Sequence, residues 1–293
     1  MPGWLGSRGG QLATGVVDPG NTAKLTFGEL RGALRQVGEE RYHHKHPFHL
    51  LMHEGKLTRG QLQAWALNRY YYQSIIPIKD AIILSRATDP SFRRVWRKRI
   101  VDHDGQDGHG QDIHGRDSDA QRDGGILRWI KLAEATGLDR DRVISAHEIL
   151  PATRFIGNEY LHLVRMRPFL ECVASSLTEL FSRDLIALRM EKMRQHYPWL
   201  ASALDYFEAR MTEAPEDAAF AIQYVFDHAA TRAEQERVIQ ALRDKCDILW
   251  AQLDALYFAY VEPGWPPPGA FRIEDDARRI DRKSRGSDEG NRG

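Results

Sequence analysis

Only two cysteines occur in 293 residues, Cys172 and Cys246. Both lie in apolar, helix-like segments and read as buried free thiols. Net charge is absent as well: 41 basic and 41 acidic residues cancel. No global field therefore draws nucleic acid or a membrane, and any basic function must be local. No apolar run approaches the length of a membrane span. Residues Met1 to Asn21 are rich in Gly and small residues but lack a charged region followed by an apolar core, so a secretory signal is not expected. The default is a soluble cytoplasmic protein. Runs of alternating apolar and β-branched residues are missing, as are internal repeats. No Gly-rich phosphate loop, Ser nucleophile elbow or dinucleotide fingerprint is found either.

Helical signals fill most of what remains. Thr58-Arg59-Gly60-Gln61 fits a capping box, followed by apolar residues at helical period from Leu62 to Ile76. Asp89-Pro90 supplies an N-cap and N1 proline for a helix to about His103. Further helices are read over Gly125 to Ala135, Pro151 to about Arg167, Pro168 toward Tyr197, Leu204 to Met211, Pro215 to Ala230 and Arg232 to Tyr260. Three stretches look irregular and mobile: 1–24, a long loop at 104–125, and 262–293, which opens with Pro263-Gly264-Trp265-Pro266-Pro267-Pro268. The expectation is all-α, one domain over 25–261 built as a bundle of about seven helices.

Within this frame, the stretch from Asn68 to Asp80 stands out. Three tyrosines, Tyr70 to Tyr72, sit among Arg69, Gln73 and Lys79. That is too polar for a plain core and too aromatic for a plain surface. Arg69, Tyr72 and Gln73 share one helical face, and Pro77 is expected to end or kink the helix and re-aim Lys79. Such a face suits a flat, anionic, oxygen-rich small molecule.

Other polar residues on apolar helices are ambiguous one at a time. Arg99 and His103, four apart, fit a solvated helix C-terminus. Tyr160 lies in an apolar helix. Arg189, the pair Tyr206 and Arg210, and Lys245 each read singly as surface ion-pair residues worth little. Tyr42 to His49 carries four histidines in seven positions. Their spacing points them apart, and no H-E-x-x-H or Cys/His set accompanies them, so a proton donor or acceptor is preferred to a metal site. Glu179 lacks the Glu-x-x-His partners of a di-iron site.

Taken together, these segments form a pattern. Tyr42-His43, Asn68-Arg69 through Lys79-Asp80, Arg99 with Asp102-His103-Asp104-Gly105, Ser175 through Phe181, His196-Tyr197-Pro198-Trp199, and Lys245 with Asp247-Ile248-Leu249-Trp250 closely resemble the pyrroloquinoline-quinone (PQQ) synthase family. The similarity runs in order from about residue 27 to about residue 260. The resemblance implies a heme-oxygenase-like helical fold without heme, in a homodimer. It implies the last step of PQQ biosynthesis, in which a tricarboxylated quinoline-dione precursor undergoes ring closure and loses eight electrons and eight protons. Molecular oxygen is then co-substrate and oxidant, hydrogen peroxide is a product, and no metal or organic cofactor takes part. By position, Tyr42, Arg69, Tyr72, Gln73, Lys79, Arg99, Arg189 and Lys245 would bind the substrate. His43, His103 and Tyr160 would move protons, while Tyr206 and Arg210 would serve the oxygen side.

Two departures from the family pattern stand out. Seven residues beyond Glu179 the family carries histidine, and this chain carries Ile186, which puts an apolar wall where an oxygen-side imidazole belongs. The loop at 104–125, with His109 and His114, is longer than the family's link and reads as a lid or an insertion. Alternatives are a precursor- or PQQ-binding protein that turns over slowly, and a metal-dependent oxidase of the heme-oxygenase-like group.

Overall fold

A computed structural model describes residues 23–105 and 123–273. Among the described residues there are eleven α-helices and no strand. They are α1 (Phe27–Arg41), α2 (Pro47–His53), α3 (Arg59–Arg86), α4 (Pro90–Asp104), α5 (Gly125–Ala135), α6 (Arg140–Ser145), α7 (Pro151–Met166), α8 (Phe169–Ala174), α9 (Glu179–His196), α10 (Asp205–His228) and α11 (Arg232–Tyr260). Short 3₁₀ turns follow α1 and α9. The all-α expectation holds, with more and shorter helices than about seven. His109 and His114 lie outside the described residues, as does most of the 104–125 loop.

Local chemistry sets the helix starts. Thr26, Thr58 and Thr231 each close a capping box with Glu29, Gln61 and Glu234. Asp89 caps α4 by accepting from the Ser91 and Phe92 backbone N–H groups, with Pro90 at N1. Helix α7 has no cap of its own. Its start is held by the buried Asn68 of α3, whose Oδ1 accepts from Leu150 N and Thr153 Oγ1, both at 2.8 Å.

Pro77 does not end its helix. Helix α3 runs unbroken through Pro77, and α10 runs through Pro215. A proline inside a helix removes one backbone bond and costs about 3 kcal/mol in isolation. Here tertiary burial offsets it: Ile75, Ile76, Pro77, Lys79, Asp80 and Ile83 are all buried around the α3 site. Conversely, the single helix expected from Pro168 is split. A turn over 175–178 separates α8 from α9 and frees the backbone to present Ser176 and Glu179.

Helix α3 is the central rod, touching α4, α5, α7 and α11. Its approach to α7 is so close that a Cβ at Gly157 would lie 2.8 Å from the Tyr71 ring. The apolar side chains fall into two core clusters. One gathers around Trp65, Trp129, Phe207 and Leu256, the other around Tyr72, Phe92, Trp96 and Cys172. Both cysteines are buried and free. Residues 262–273 are irregular and exposed or half-buried as far as Gly269, but they return to the bundle at Ala270 and Phe271. Phe271 is buried in the first cluster, and its N–H donates to Glu148 O at 2.8 Å.

The ends of the long loop meet beside the C-terminus of α4. Gly105 has φ of 89°, and a Cβ on Gly124 would lie 2.2 Å from Gly105 N. Because the chain leaves and returns at one point, added loop length costs only a slowly growing closure entropy and leaves the bundle unaltered.

Candidate active site

At the seam between the two core clusters lies a cavity with about 770 Å³ of atom-free space, its mouth included. The first cluster lends it Trp129, Ile186, Tyr206 and Phe207, and the second lends it Tyr42, Tyr72, Tyr160 and Leu249. Every residue to which the resemblance gives a binding or catalytic role borders this one space. Helix α3 supplies Arg69, Tyr72, Gln73 and Lys79; α4 supplies Arg99 and His103; α9, α10 and α11 supply Arg189, Tyr206 with Arg210, and Lys245. Tyr42, His43 and Tyr160 complete it.

Reading these residues singly as surface groups is therefore corrected. Arg99, His103, Arg189, Arg210 and Lys245 are all buried. Burying a charge is costly unless it is paired, so the pairing pattern carries the information. One set of cations is met internally. Arg99 donates to both Glu179 oxygens at 2.6 and 2.7 Å and to Asp80 at 3.3 Å. Arg210 reaches Glu179 at 3.0 Å and Glu213 at 3.2 Å, and both guanidiniums face Asp217 at 3.3 and 3.6 Å. Lys79 donates to Asp80 at 2.5 Å and to Ser176 at 3.1 Å.

A second set is not met. Arg69, Arg189 and Lys245 have no carboxylate within ion-pair distance among the described residues. Arg69 donates to Gln252 Oε1 at 3.2 Å and stacks over the Tyr72 ring at 4.2 Å. Arg189 leans on neutral His49 at 3.0 Å, and its buried Nε has no acceptor. Lys245 contacts Tyr72 Oη and lies 3.2 Å from the Tyr160 ring centroid. Burial, then the neighbouring cations Lys79 and Arg69, push the Lys245 amine well below its ordinary value. Burial and Arg69 likewise lower Arg189, to about 10. Excess buried positive charge of this kind is a ready site for an anion.

The aromatic walls are flat. Tyr72 and Tyr160 stack with planes 4° apart and centroids at 6.3 Å. Burial raises the Tyr72 and Tyr206 phenols, so both stay protonated near neutral pH. His103 Nδ1 donates to Arg99 O at 2.9 Å, which leaves Nε2 as the acceptor. Burial and Arg210 lower His103 to about 4. Burial, Arg69 and Arg189 hold His43 well below the ordinary imidazole value too. Both imidazoles are thus neutral bases in the empty cavity.

Sequence reasoning missed the carboxylates. Asp80 and Glu179 stood inside quoted motifs but without a role, and Asp217 gave no signal. Asp217 is raised to about 7 by burial and by Glu179. The remaining histidines of the cluster have structural tasks. His46 Nδ1 accepts from Phe48 N and caps α2, while its Nε2 meets Asp254 at 3.0 Å. Ile186 is buried on the cavity wall beside Leu185.

Comparison with known proteins adds to this geometry. The profile of the TENA/THI-4/PQQC family matches residues 31–255. A pyrroloquinoline-quinone synthase of Granulibacter bethesdensis is 52% identical over 248 residues, 84% of this chain and 92% of that one. The enzyme of that name from Acidiphilium cryptum is 53% identical over 252 residues, 85% of this chain and 97% of that one. Among solved structures, a domain with a heme oxygenase-like fold from Shewanella denitrificans superposes with a TM-score of 0.65. It is 12% identical, covering 85% of this chain and 100% of that one, and it shows the fold alone.

Proposed function

The chain belongs to the TENA/THI-4/PQQC family, and from that premise we propose that it is a pyrroloquinoline-quinone synthase acting on the last step of PQQ biosynthesis. In this reading a tricarboxylated quinoline-dione precursor enters the cavity, closes its second ring and gives up eight electrons and eight protons to molecular oxygen. PQQ and hydrogen peroxide leave. The substrate's own quinone and quinol oxygens carry the electrons, and no metal or organic cofactor is needed.

The observation that carries the reading is a trio of cations without carboxylate partners among the described residues, the half-buried Arg69 and the buried Arg189 and Lys245, on the same cavity as the parallel Tyr72 and Tyr160 rings. A tricarboxylate supplies the missing negative charge, and guanidinium binds carboxylate through paired hydrogen bonds. A planar fused ring matches the flat tyrosine wall. The neutral His103 and His43 accept protons from ring carbons and amines. As they do so, the bound carboxylates raise their basicity toward the working pH. Arg210, steadied by Glu179, and the Tyr206 phenol stabilise negative charge developing on reduced oxygen.

Ile186 favours a second reading, a homologue that binds precursor and closes the ring but oxidises slowly. Mixing protein and precursor without oxygen, then admitting oxygen, separates the two. Quinoid absorbance changes followed by PQQ and peroxide support the synthase. A bound intermediate that yields no PQQ defeats it and supports the binding homologue.

The working form proposed is a cytoplasmic homodimer. Its support is an exposed apolar face on α7 and α11, where Phe155, Met166 and Phe258 are each more than half exposed. No helix among the described residues is long and apolar enough to cross a membrane.

A further inference from the structure

Behind the cavity wall lies a second, smaller chamber with about 250 Å³ of atom-free space. Arg69, Arg189 and His43 border both spaces, and His49, Trp65 and Gln252 border only the inner one, which leucines of α11 close. Its free room admits roughly one water-sized species. Two guanidiniums face it, and no carboxylate does. The buried Arg189 Nε–H has no acceptor. His49 Nδ1 is committed to His43 O at 2.9 Å, so its Nε2 accepts from Arg189 and the ring is neutral. Gln252 offers Arg69 only an amide oxygen, at 3.2 Å. Each polar neighbour that could have been an anion is a neutral group instead.

We propose that this inner chamber is a site for one small monovalent anion of halide size, held between Arg69 and Arg189 and distinct from any ligand in the main cavity. Burial, and after it repulsion by the Arg69 guanidinium, already lower Arg189, to about 10. A resident anion removes that repulsion and leaves the outer faces of both arginines to a second anion. The proposal is independent of the oxidation, since it concerns the protein with or without substrate.

Crystals of the ligand-free chain grown in sodium bromide test it directly. An anomalous peak between Arg69 and Arg189, beside His49 and Gln252, is expected, and it should persist when PQQ fills the main cavity. Bromide only at the surface overturns the proposal. So does a peak that vanishes with PQQ, because the chamber would then be an extension of the ligand site. In solution, replacing gluconate by chloride at constant ionic strength should raise Tm by about 3 °C per tenfold chloride above half-saturation. Gln252→Glu places a carboxylate beside Arg69 and should abolish that response. A folded Gln252→Glu protein that keeps the full chloride response overturns the proposal; if the variant does not fold, the bromide map of the unaltered chain decides.

Discussion

Arg99 and Glu179 meet through two parallel N–H···O bonds, Nη1 to Oε2 at 2.7 Å and Nη2 to Oε1 at 2.6 Å, although 80 residues separate them. The fork that the sequence assigns to a substrate carboxylate is thus already closed by a carboxylate of the protein. Glu179 also holds Arg210, so one side chain fixes both cations of that wall. Glu179→Gln should destabilise the ligand-free fold by about 3 kcal/mol, the low end for a broken buried pair, because Asp80 and Asp217 remain. It should also tighten the binding of an anionic ligand. Urea denaturation with and without PQQ measures both. Equal stability of variant and parent would refute the holding role.

Lys245 is the opposite case, a buried cation with no carboxylate beside it among the described residues. Lys245→Met should leave the ligand-free protein as stable as the parent or more so, since a buried amine with no carboxylate partner is replaced by an apolar side chain of similar length. Affinity for a tricarboxylated quinone should fall about tenfold, or about 1.4 kcal/mol. Calorimetric titration with PQQ reads the affinity. An unchanged Kd would remove Lys245 from the binding set.

Ile186 tests the oxygen side. Ile186→His adds an imidazole to the cavity that Trp129, Leu185, Tyr206, Phe207 and Arg210 also line. If the missing imidazole limits oxidation, oxygen consumption after ring closure should rise by about 10²–10⁴-fold. Burying a histidine there should cost about 1–2 kcal/mol of stability. A stable variant with unchanged oxidation would show that the limitation lies elsewhere.

Acid should loosen the fold. His43, His49, His53 and His103 are all lowered chiefly by burial, His53 and His103 to about 4. An unfolded histidine binds its proton near 6.5, whereas the folded one resists it. Their contribution is therefore complete above about pH 6.5 and is lost as pH falls toward 4, at about 1.4 kcal/mol per pH unit for each proton taken up. Denaturation midpoints across that window should show the slope, and His103→Gln should flatten it. A pH-independent midpoint would mean that these imidazoles are solvated.

Much of this was legible in the chain. Capping boxes and N1 prolines mark helix starts chemically, so α3, α4 and α11 were placed by local rules at Thr58, Asp89 and the run to Tyr260. Those rules failed where tertiary burial outweighs propensity, at Pro77 and Pro215, and where a turn hides inside an apolar run, at 175–178. The residues that line the cavity could be named together because long motifs carry them. Their division into paired and unpaired cations was not legible. It depends on Asp80, Glu179 and Asp217 arriving from three different helices, and no spacing rule links residues so far apart.

The continuity of α3 through Pro77 also bears on what kind of molecule can be chosen. Arg69 and Lys79 are ten residues apart on one rod, a fixed interval of about 15 Å at 1.5 Å per residue. On the proposed function, a grip set along one continuous helix favours a rigid plate whose charged corners match that interval over a floppy polyacid that would have to be straightened first.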